Sequence, residues 1–338
     1  MITAPGEARV QDVPEPAAEP GEVVVDVGRA GVCGTDVEFF TGEMAYLHSG
    51  DAAFPMRIGH EWMGVVSAVG DGVDRRWLGR RVTGDTMLGC GVCARCRSGR
   101  HHVCADRTEI GVRAGRPGAL ADRVAVPAWA LHALPGAVDD VLGTLVEPGG
   151  NALRAVRGAD LHVGDRALVI GPGTIGLLAA MFARAVGAEV HLLGVEPGSL
   201  AFARSLGFVG AWRRDELPDL PWDAVIDAST GPTMPATALE LVEPGKRVVY
   251  IGIAGTPSPV DSRAFAFKDV TAVGVLGASA GLVGAIEAYA SGSVDPRALV
   301  GATVPLDGVA AVLAGQRPAG ASPGPKLHVQ VAEEPARG

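Results

Sequence analysis

The fold class that the 338-residue sequence predicts is α/β, a doubly wound parallel sheet accompanied by a second, β-rich domain. Three observations predict it. From residue 166 onward, short apolar runs alternate with longer helical patterns, as in a parallel sheet with crossover helices. The glycine-rich turn "GPGTIG" follows the first of these strands directly. The first half of the chain carries strand-like apolar runs, and the length suffices for two sizeable cores.

Composition and charge narrow the possible partners. The formal charge of −9 argues against a nucleic-acid partner, because such binding depends on clustered cations. No apolar run approaches the roughly 18 residues of a membrane span, and the N-terminus lacks the layout of a secretory signal. We therefore expect a cytoplasmic protein that acts on a small molecule, with no nucleic-acid or membrane partner. In a reducing cytosol, clustered cysteines more often bind metal or do redox chemistry than form disulfides.

Four of the five cysteines lie in residues 90–104, "CGVCARCRSGRHHVC". The spacing Cys90-x2-Cys93-x2-Cys96-x7-Cys104 suits a tetrahedral Zn²⁺ site of four thiolates, which leaves no position for a substrate and is therefore structural. A disulfide pair and an iron–sulfur cluster are the alternatives. The ferredoxin-type run has a last interval of x3 followed by Pro, which this chain lacks. Because four thiolates complete the shell, we expect the neighbouring histidines, His101 and His102, to be surface residues.

The fifth cysteine, Cys33, stands alone in "GVCGTDVE", and His60 and Glu61 follow downstream in "RIGHEWMGVV". A thiolate, an imidazole and a carboxylate are the three protein ligands that a catalytic zinc takes while one position stays open. Alone, each is weak evidence, because a lone cysteine is usually buried and a His-Glu pair usually lies on the surface. Their combination with the four-cysteine loop is more specific evidence for a zinc protein.

The two cysteine patterns together resemble the zinc-dependent medium-chain dehydrogenase/reductase superfamily, which includes alcohol, polyol, threonine and glucose dehydrogenases. The resemblance runs along nearly the whole chain, through "VCGTD", "GHEWMGVV", "LVEPGGNALRAV", "VIGPGTIGLLAAMFARAVGA" and "PKLHVQV". It implies a GroES-like β-barrel catalytic domain formed by residues 1–150 and 291–338, with the structural zinc loop at 90–104. Residues 151–290 would form a Rossmann dinucleotide-binding domain.

The resemblance also implies the ligands of a catalytic zinc. Cys33 and His60 would bind the metal, and Glu147 in "LVEP" matches the position that supplies a third ligand. Glu61 would lie next to the metal, as an exchanging ligand or beside the ligands. Whether Glu61 or Glu147 binds in the resting state is left open.

Three residues near Cys33 are predicted to take part in catalysis. By resemblance, Asp36 would orient the ring of His60, as expected for a metal-bound imidazole, and Thr35 would bind the substrate hydroxyl and begin proton release. Glu38 stands where many alcohol and polyol dehydrogenases carry a histidine, and "CGTDxE" is similar to glucose dehydrogenases. Its carboxylate could bind a polyhydroxy substrate or pass a proton onward; a solvent-facing position is the alternative.

The glycine-rich turn predicts a dinucleotide site. Gly171 permits the turn, Gly173 lets the backbone approach a pyrophosphate, and Gly176 allows close helix packing. Thr174 and Ile175 lie within the same motif and begin the helix whose N-terminus attracts the anion. In its strand–helix–strand frame the motif is a strong signal.

Further cofactor contacts are expected where later strands end. NAD-specific relatives usually carry an acid at the position of Gly194, so its loss weakens a simple NAD assignment. The turn "VEPGS" offers no Arg or Lys for a 2′-phosphate, and Glu196 would repel one or contact the ribose. NAD(H) is therefore favoured over NADP(H). By resemblance, two segments would approach the nicotinamide, "IGI" with Gly252 and Ile253, and "LGA" with Leu276 and Gly277.

The function expected is oxidation of a secondary hydroxyl of a polyol, sugar or cyclitol-like substrate, or the reverse reduction, with one catalytic and one structural zinc per chain. Threonine dehydrogenase or a simple secondary-alcohol dehydrogenase is the alternative, followed by a non-catalytic nucleotide-binding member. Tyr46, His48 and Asp51 either line a polar pocket or cap an outer surface. A homodimer or homotetramer is expected from the relatives.

Overall fold

The computed structural model describes residues 1–208 and 210–332. The chain divides into two compact units. The first comprises Met1–Glu147, Ile286–Ser291 and the chain from Val300 on, and the second comprises Pro148–Ala285 and Gly292–Leu299. Within the described residues, no helix has both the length and the apolar character needed to cross a membrane.

Strands and helices are numbered in chain order. The strands are β1 (Ile2–Ala4), β2 (Glu7–Ala8), β3 (Glu22–Val32), β4 (Glu61–Val69), β5 (Arg81–Gly84), β6 (Met87–Leu88), β7 (Thr108–Glu109), β8 (Arg123–Pro127), β9 (Leu131–Ala133), β10 (Arg166–Ile170), β11 (Glu189–Leu193), β12 (Gly210–Trp212), β13 (Trp222–Asp227), β14 (Val242–Tyr250), β15 (Thr271–Gly274), β16 (Val300–Pro305) and β17 (Lys326–Gln330). The α-helices are α1 (Gly34–Thr41), α2 (Ala45–Ser49), α3 (Ala94–Arg97), α4 (Asp140–Thr144), α5 (Val146–Ala159), α6 (Thr174–Ala185), α7 (Pro197–Ser205), α8 (Met234–Leu241), α9 (Ser262–Lys268), α10 (Leu282–Ser291) and α11 (Val309–Leu313). Short 3-10 turns lie at Arg75–Trp77, His101–Val103, Ala128–Ala130, Ser279–Gly281, Arg297–Leu299 and Leu306–Gly308.

The first unit is built on a largely antiparallel sheet in the order β16-β17-β3-β4-β5-β9, with β8 also paired to β3. The long strand β3 is rich in valine, and Val23, Val25 and Val27 are fully buried. Branched side chains suit a pleated surface that packs on a core. That core also contains Trp62 and Phe39, both without exposed area.

Pairing of β3 with its neighbours fixes the position of the candidate site. Gly31 of β3 pairs with Glu61 of β4, while Val32 pairs with Leu327 of β17. The end of β3, the start of β4 and the start of β17 therefore lie side by side. Cys33 follows β3 directly, and His60 precedes β4.

The second unit is built on a six-stranded parallel sheet in the order β12-β11-β10-β13-β14-β15. Numbered from β10, this is the doubly wound order 3-2-1-4-5-6. Helices α6 to α9 lie in four of the five connections, and β12 leads to β13 without a helix. Leu168 and Val169 of β10 are fully buried, as expected for a strand covered on both faces. The predicted α/β class, with a doubly wound sheet and a second β-rich domain, is confirmed.

Candidate metal centres

Cys33, His60 and Glu61 form the first candidate metal centre. The sulfur of Cys33, a ring nitrogen of His60 and a carboxylate oxygen of Glu61 all lie within 4.8 Å of one another. His60 and Glu61 are buried, and Cys33 is half-buried at the N-cap of α1. These donors are the thiolate, imidazole and carboxylate types that Zn²⁺ accepts, and their atoms are close enough to share one ion.

Asp36 links the first turn of α1 to His60. Its buried carboxylate accepts hydrogen bonds from the backbone N–H groups of Cys33, at 2.9 Å, and Gly59, at 3.3 Å. Its Oδ1 lies 3.7 Å from Nδ1 of His60. Burial raises the pKa of Asp36, although the charge of His60 opposes this. Asp36 therefore lies on the Nδ1 side of the imidazole ring, where it can orient His60.

The electrostatic potential around His60 favours a cation. Burial alone would lower the pKa of His60, but the charges of Asp36, Cys33 and Glu147 outweigh it and raise this pKa well above its usual value. The negative potential that stabilises a protonated imidazole would also stabilise a bound metal ion. Glu147 is buried in the first turn of α5, and the set of ligand atoms within 4.8 Å of one another contains Glu61 but not Glu147.

Lys326 contacts this centre from β17 and was not identified from the sequence. Its Nζ donates hydrogen bonds to both carboxylate oxygens of Glu61, at 2.7 and 2.8 Å, and to the carbonyl of Val32, at 3.0 Å. Burial would lower the pKa of Lys326, but the charges of Glu61 and Cys33 raise it overall. Gly31 makes room for the pair, since a Cβ there would lie 2.1 Å from Oε2 of Glu61.

Thr35 and Glu38 lie three residues apart on α1, so both face the same side of the helix. Both are half-buried. Burial, together with the charge of Glu43, raises the pKa of Glu38. Among the described residues, no hydrogen-bond partner of the Glu38 carboxylate is found, so it can still bind another molecule.

The sequence left open whether Tyr46 and Asp51 line a pocket or cap an outer surface. In the structure, both side chains bind residues 107–113 and connect the segment around α2 to them. The hydroxyl of Tyr46 donates to Glu109, at 3.2 Å, and accepts from Arg107, at 2.9 Å. Asp51 accepts two hydrogen bonds from Arg113, at 2.6 and 3.0 Å. Both side chains are thus engaged in contacts within the protein.

The four clustered cysteines form the second candidate metal centre. Their sulfurs all lie within 4.8 Å of one another, with 4.0 Å between Cys90 and Cys96 and 3.8 Å between Cys93 and Cys104. Sulfurs bound tetrahedrally at about 2.3 Å from one Zn²⁺ would be separated by about 3.8 Å. All four are free thiols, so the disulfide alternative is not adopted. Backbone N–H groups of Val92 and Cys93 lower the pKa of Cys90 to about 7, which favours a thiolate.

The two histidines of this loop differ from expectation. His102 is buried, so its prediction as a surface residue is wrong. His101 is only partly buried and its ring nitrogen lies 2.6 Å from the buried carboxylate of Asp85. Its ring also packs edge-on against Trp129, with 5.4 Å between centroids. Spacing within the loop could not reveal these contacts, because Asp85 and Trp129 come from outside it.

The glycine-rich turn of the second unit lies between β10 and α6. Gly171 has a φ of +91°, and a Cβ there would lie 3.0 Å from the carbonyl oxygen of Ala228. Gly176 packs against the turn, since its Cβ would lie 1.9 Å from the carbonyl oxygen of Gly171. Gly173, by contrast, is the N-cap of α6 and has nothing within 4 Å of the Cβ position. No side chain caps the helix there, so its first N–H groups can bind an anion.

The other predicted cofactor residues also follow strands of this parallel sheet at their carboxyl ends. Gly194 follows β11, Glu196 is the exposed N-cap of α7, Gly252 and Ile253 follow β14, and Leu276 and Gly277 follow β15. A Cβ at Gly194 would lie 2.7 Å from Pro172 of the glycine-rich turn. Arg154 of α5 donates hydrogen bonds to the carbonyls of Leu276 and Gly277 and holds that segment in place. In doubly wound sheets, ligands bind at this edge.

Comparison with known proteins gives two family matches and a set of relatives that match over about four fifths or more of each chain. The family model for the alcohol dehydrogenase GroES-like domain matches residues 19–136, and the model for zinc-binding dehydrogenase matches residues 174–291. An L-threonine 3-dehydrogenase of Chelativorans sp. (strain BNC1) is 32% identical over 79% of this chain and 80% of its own. A 2-dehydro-3-deoxy-L-galactonate 5-dehydrogenase of Pseudoalteromonas atlantica is 33% identical over 88% and 89%, respectively.

Solved structures are similar over almost the entire chain. An alcohol dehydrogenase of Escherichia coli CFT073 in complex with NADH has a TM-score of 0.88 and 26% identity, and the match covers 97% of each chain. A protein of Sinorhizobium meliloti 1021 described as a zinc-binding dehydrogenase, bound to NADP, has a TM-score of 0.86 and 26% identity, with 96% of each chain covered.

Proposed function

The chain belongs to the zinc-dependent medium-chain dehydrogenase/reductase family, and on this premise we propose that it is an NAD-preferring dehydrogenase of a polyol, sugar or cyclitol-like substrate. The reaction is transfer of a hydride between the nicotinamide cofactor and the carbon of a secondary alcohol or ketone. The observation that carries this proposal is the convergence of Cys33, His60 and Glu61 within 4.8 Å. A chain with only the nucleotide fold would not need these three donor types together.

The residues of the first centre fit a catalytic zinc. Cys33 and His60 would hold the ion, and we propose Glu147, at the position that the family resemblance assigns to a third ligand, in exchange with Glu61, whose oxygens each keep a lone pair beside the hydrogen bond from Lys326. When bound, zinc supplies Lewis acidity that makes a substrate hydroxyl a stronger acid. Asp36 orients the imidazole, and Lys326 holds Glu61 beside the ligands.

Proton transfer is proposed to run through α1. Thr35 would accept a hydrogen bond from the substrate hydroxyl and begin the release of its proton. Glu38, one turn further along the same face, would accept that proton or a hydrogen bond from a neighbouring hydroxyl of the substrate. Because the carboxylate of Glu38 could bind a second hydroxyl of the substrate, a polyhydroxy substrate is favoured over a simple alkanol.

A second, structural zinc is proposed for Cys90, Cys93, Cys96 and Cys104. Four sulfurs leave no open position, so this ion would stabilise the loop of residues 90–104 without taking part in catalysis. The two proposed sites together predict two zinc ions per chain. Elemental analysis of the purified protein tests this count. Cys33→Ala should lower it to one, and a value of two in this variant would contradict the ligand assignment.

The preference for NAD is proposed from the residues after β11. Glu196 is exposed there, and a carboxylate would repel the 2′-phosphate of NADP while it can accept hydrogen bonds from a ribose hydroxyl. The segment "VEPGS" holds no Lys or Arg to bind that phosphate. The ratio of kcat/KM for NAD and NADP tests the preference, and a strong preference for NADP would contradict it.

Threonine or a simple secondary alcohol is the second candidate substrate, and it is favoured by the name of the Chelativorans relative. A screen that follows NADH absorbance over polyols, sugars, threonine and 2-alkanols separates the candidates. We expect the highest kcat/KM for a polyhydroxy compound. Activity confined to threonine and 2-alkanols would exclude the sugar and polyol proposal.

A homodimer or homotetramer is proposed as well. Strand β15 lies at one edge of the parallel sheet, and its residues Thr271 and Ala272 are exposed. An open sheet edge can pair with the same edge of a second copy. Light scattering measures the mass, and a monomer at micromolar concentration would contradict this proposal.

A further inference from the structure

The first unit contains a cavity of about 690 Å³ that the proposed chemistry does not use. Residues 8–16 form one wall, and Arg57, residues 120–123 and helix α11 form the others. None of the metal-ligand candidates lines it. We infer that this cavity binds a small organic anion, with a carboxylate or phosphate group on Arg57 and an apolar body along α11.

Arg57 is the feature that points to an anion. Its Nε is buried and has no hydrogen-bond partner among the described residues, and the side chain forms no ion pair there. Burial lowers the pKa of Arg57, and no neighbouring carboxylate counteracts this effect. A buried N–H donor without a hydrogen-bond partner is unfavourable, so a bound anion that accepts a hydrogen bond from Nε would replace the lost hydration.

The other charged residues of the cavity do not supply that partner. Arg123 shows the contrast, since it pairs with Glu15 at 2.6 Å and with Asp26 at 2.8 Å. The remaining charged side chains of the lining are Arg9, Asp12, Asp122 and Asp307. Arg57 is thus a cation of this cavity that has no counter-ion among the residues that the structure describes.

The rest of the lining selects for an apolar body. Val13, Ile58, Leu306, Val309 and Leu313 all line the cavity. An inorganic ion would leave these side chains uncovered, whereas an amphipathic ligand would bury them. The volume lies within the roughly 300–1,000 Å³ typical of small-molecule sites. A second cavity of about 350 Å³ also includes Arg57, so a ligand anchored there can extend on either side.

Calorimetric titration of the zinc-loaded protein tests the inference, with octanoate, octyl phosphate, octanamide and inorganic phosphate as probes. We expect octanoate or octyl phosphate to bind, and whichever binds more tightly identifies the anionic group. Octanamide and inorganic phosphate should bind at least about tenfold more weakly, because each lacks one of the two required parts. Equal binding of octanamide would overturn the role of the charge.

Two variants locate the binding. Arg57→Met should weaken binding at least about tenfold without lowering the melting temperature, because Arg57 has no partner to lose. Ala310→Trp keeps Arg57 but fills the cavity from α11, and it should also abolish binding. Arg76→Met, which removes an exposed arginine outside the cavity, is the matched control and should bind as the wild type does.

A crystal structure with the tighter probe completes the test, because carboxylates also bind zinc. We expect the anionic group on Arg57. Unchanged affinity in both cavity variants, or a probe seen only beside Cys33 and His60, would overturn the inference while leaving the proposed dehydrogenase function intact.

Discussion

Lys326 donates hydrogen bonds to both carboxylate oxygens of Glu61, at 2.7 and 2.8 Å, and both side chains are buried. The pair couples β17, near the end of the chain, to β4. The ammonium group of Lys326 compensates the negative charge of Glu61, which lies beside Cys33 and His60. Each oxygen of Glu61 accepts one hydrogen bond from Lys326 and keeps a second lone pair, so the pair orients this carboxylate beside the metal-ligand candidates.

Removal of the Lys326 ammonium group should therefore destabilise the folded protein. Lys326→Met leaves Glu61 buried and unpaired, and we expect the free energy of unfolding to fall by about 3–5 kcal/mol. Chemical denaturation measures the change. The double variant with Glu61→Gln should recover part of the loss, because no buried charge is then left alone.

Lys246→Met is the matched control for this prediction. Lys246 also forms an ion pair, with Asp223 at 2.6 Å, but both side chains are partly exposed. Loss of a partly exposed pair should cost less than about 1 kcal/mol. Similar losses of unfolding free energy in Lys326→Met and Lys246→Met would show that the buried pair contributes no more to stability than the partly exposed pair.

Asp36 is expected to control zinc affinity through His60. Asp36→Asn removes the charge beside the ring and keeps one of the two acceptor oxygens, the one that can still bind the N–H of Cys33 or that of Gly59. Loss of such a partner should lower zinc affinity or activity by about 10–100-fold. Competition with a chelator measures the affinity of each site separately. The four-cysteine site should be unaffected, and equal weakening of both sites would indicate a general structural defect.

The four clustered cysteines could be predicted as one candidate centre because they lie in a single short motif. Cys33, His60 and Glu61 were each weak evidence alone and were joined only through the family resemblance, and the structure brings their donor atoms within 4.8 Å of one another. Lys326 could not be assigned in this way. It is separated from Glu61 by 265 residues and reaches it only through the pairing of β17 with β3. A lysine in "PKLHVQV" was visible, but local sequence does not state which strand lies beside it. His102 was misassigned because ligand spacing within the loop does not indicate which of its other side chains are buried.

Gly194 stands where NAD-specific relatives usually carry an acid, and the structure shows a close contact at this position. Its Cβ would lie 2.7 Å from Cγ of Pro172, so any side chain at residue 194 must displace that proline. The glycine is thus coupled to the second residue of "GPGTIG". Sequence comparison at a single position cannot reveal this coupling.

Cofactor preference should therefore respond to both positions together. Gly194→Asp alone should raise the KM for both NAD and NADP, because the clash shifts the glycine-rich turn. With Pro172→Ala added, the aspartate can reach the ribose hydroxyls, and we expect the NAD/NADP ratio of kcat/KM to rise by about tenfold or more. Pro172→Ala alone is the control and should leave the ratio unchanged. If Gly194→Asp alone raised the ratio, the turn would be more adaptable than the contact distance implies.

Glu38 should set the acidic limb of the pH profile if it accepts the substrate proton. Burial and the charge of Glu43 raise its pKa, so Glu38 is protonated at pH values where an ordinary glutamate, with a pKa of about 4.3, is already ionised. Since the protonated form cannot accept a proton, kcat/KM should fall as pH decreases through this raised pKa. Glu38→Gln should remove that limb and lower the plateau by up to about a hundredfold.

Glu43→Gln separates this role from a general effect of the helix. Without the charge of Glu43, the pKa of Glu38 should decrease, so the acidic limb should move to lower pH while the plateau stays the same. The contribution of Glu38 to stability should change with pH in the direction opposite to activity, because a raised carboxyl pKa means that folding disfavours the ionised form. The stabilisation is present below the unfolded-state pKa and is lost as pH rises through the folded-state pKa. Identical profiles in wild type, Glu38→Gln and Glu43→Gln would instead support a solvent-facing Glu38 without a part in catalysis.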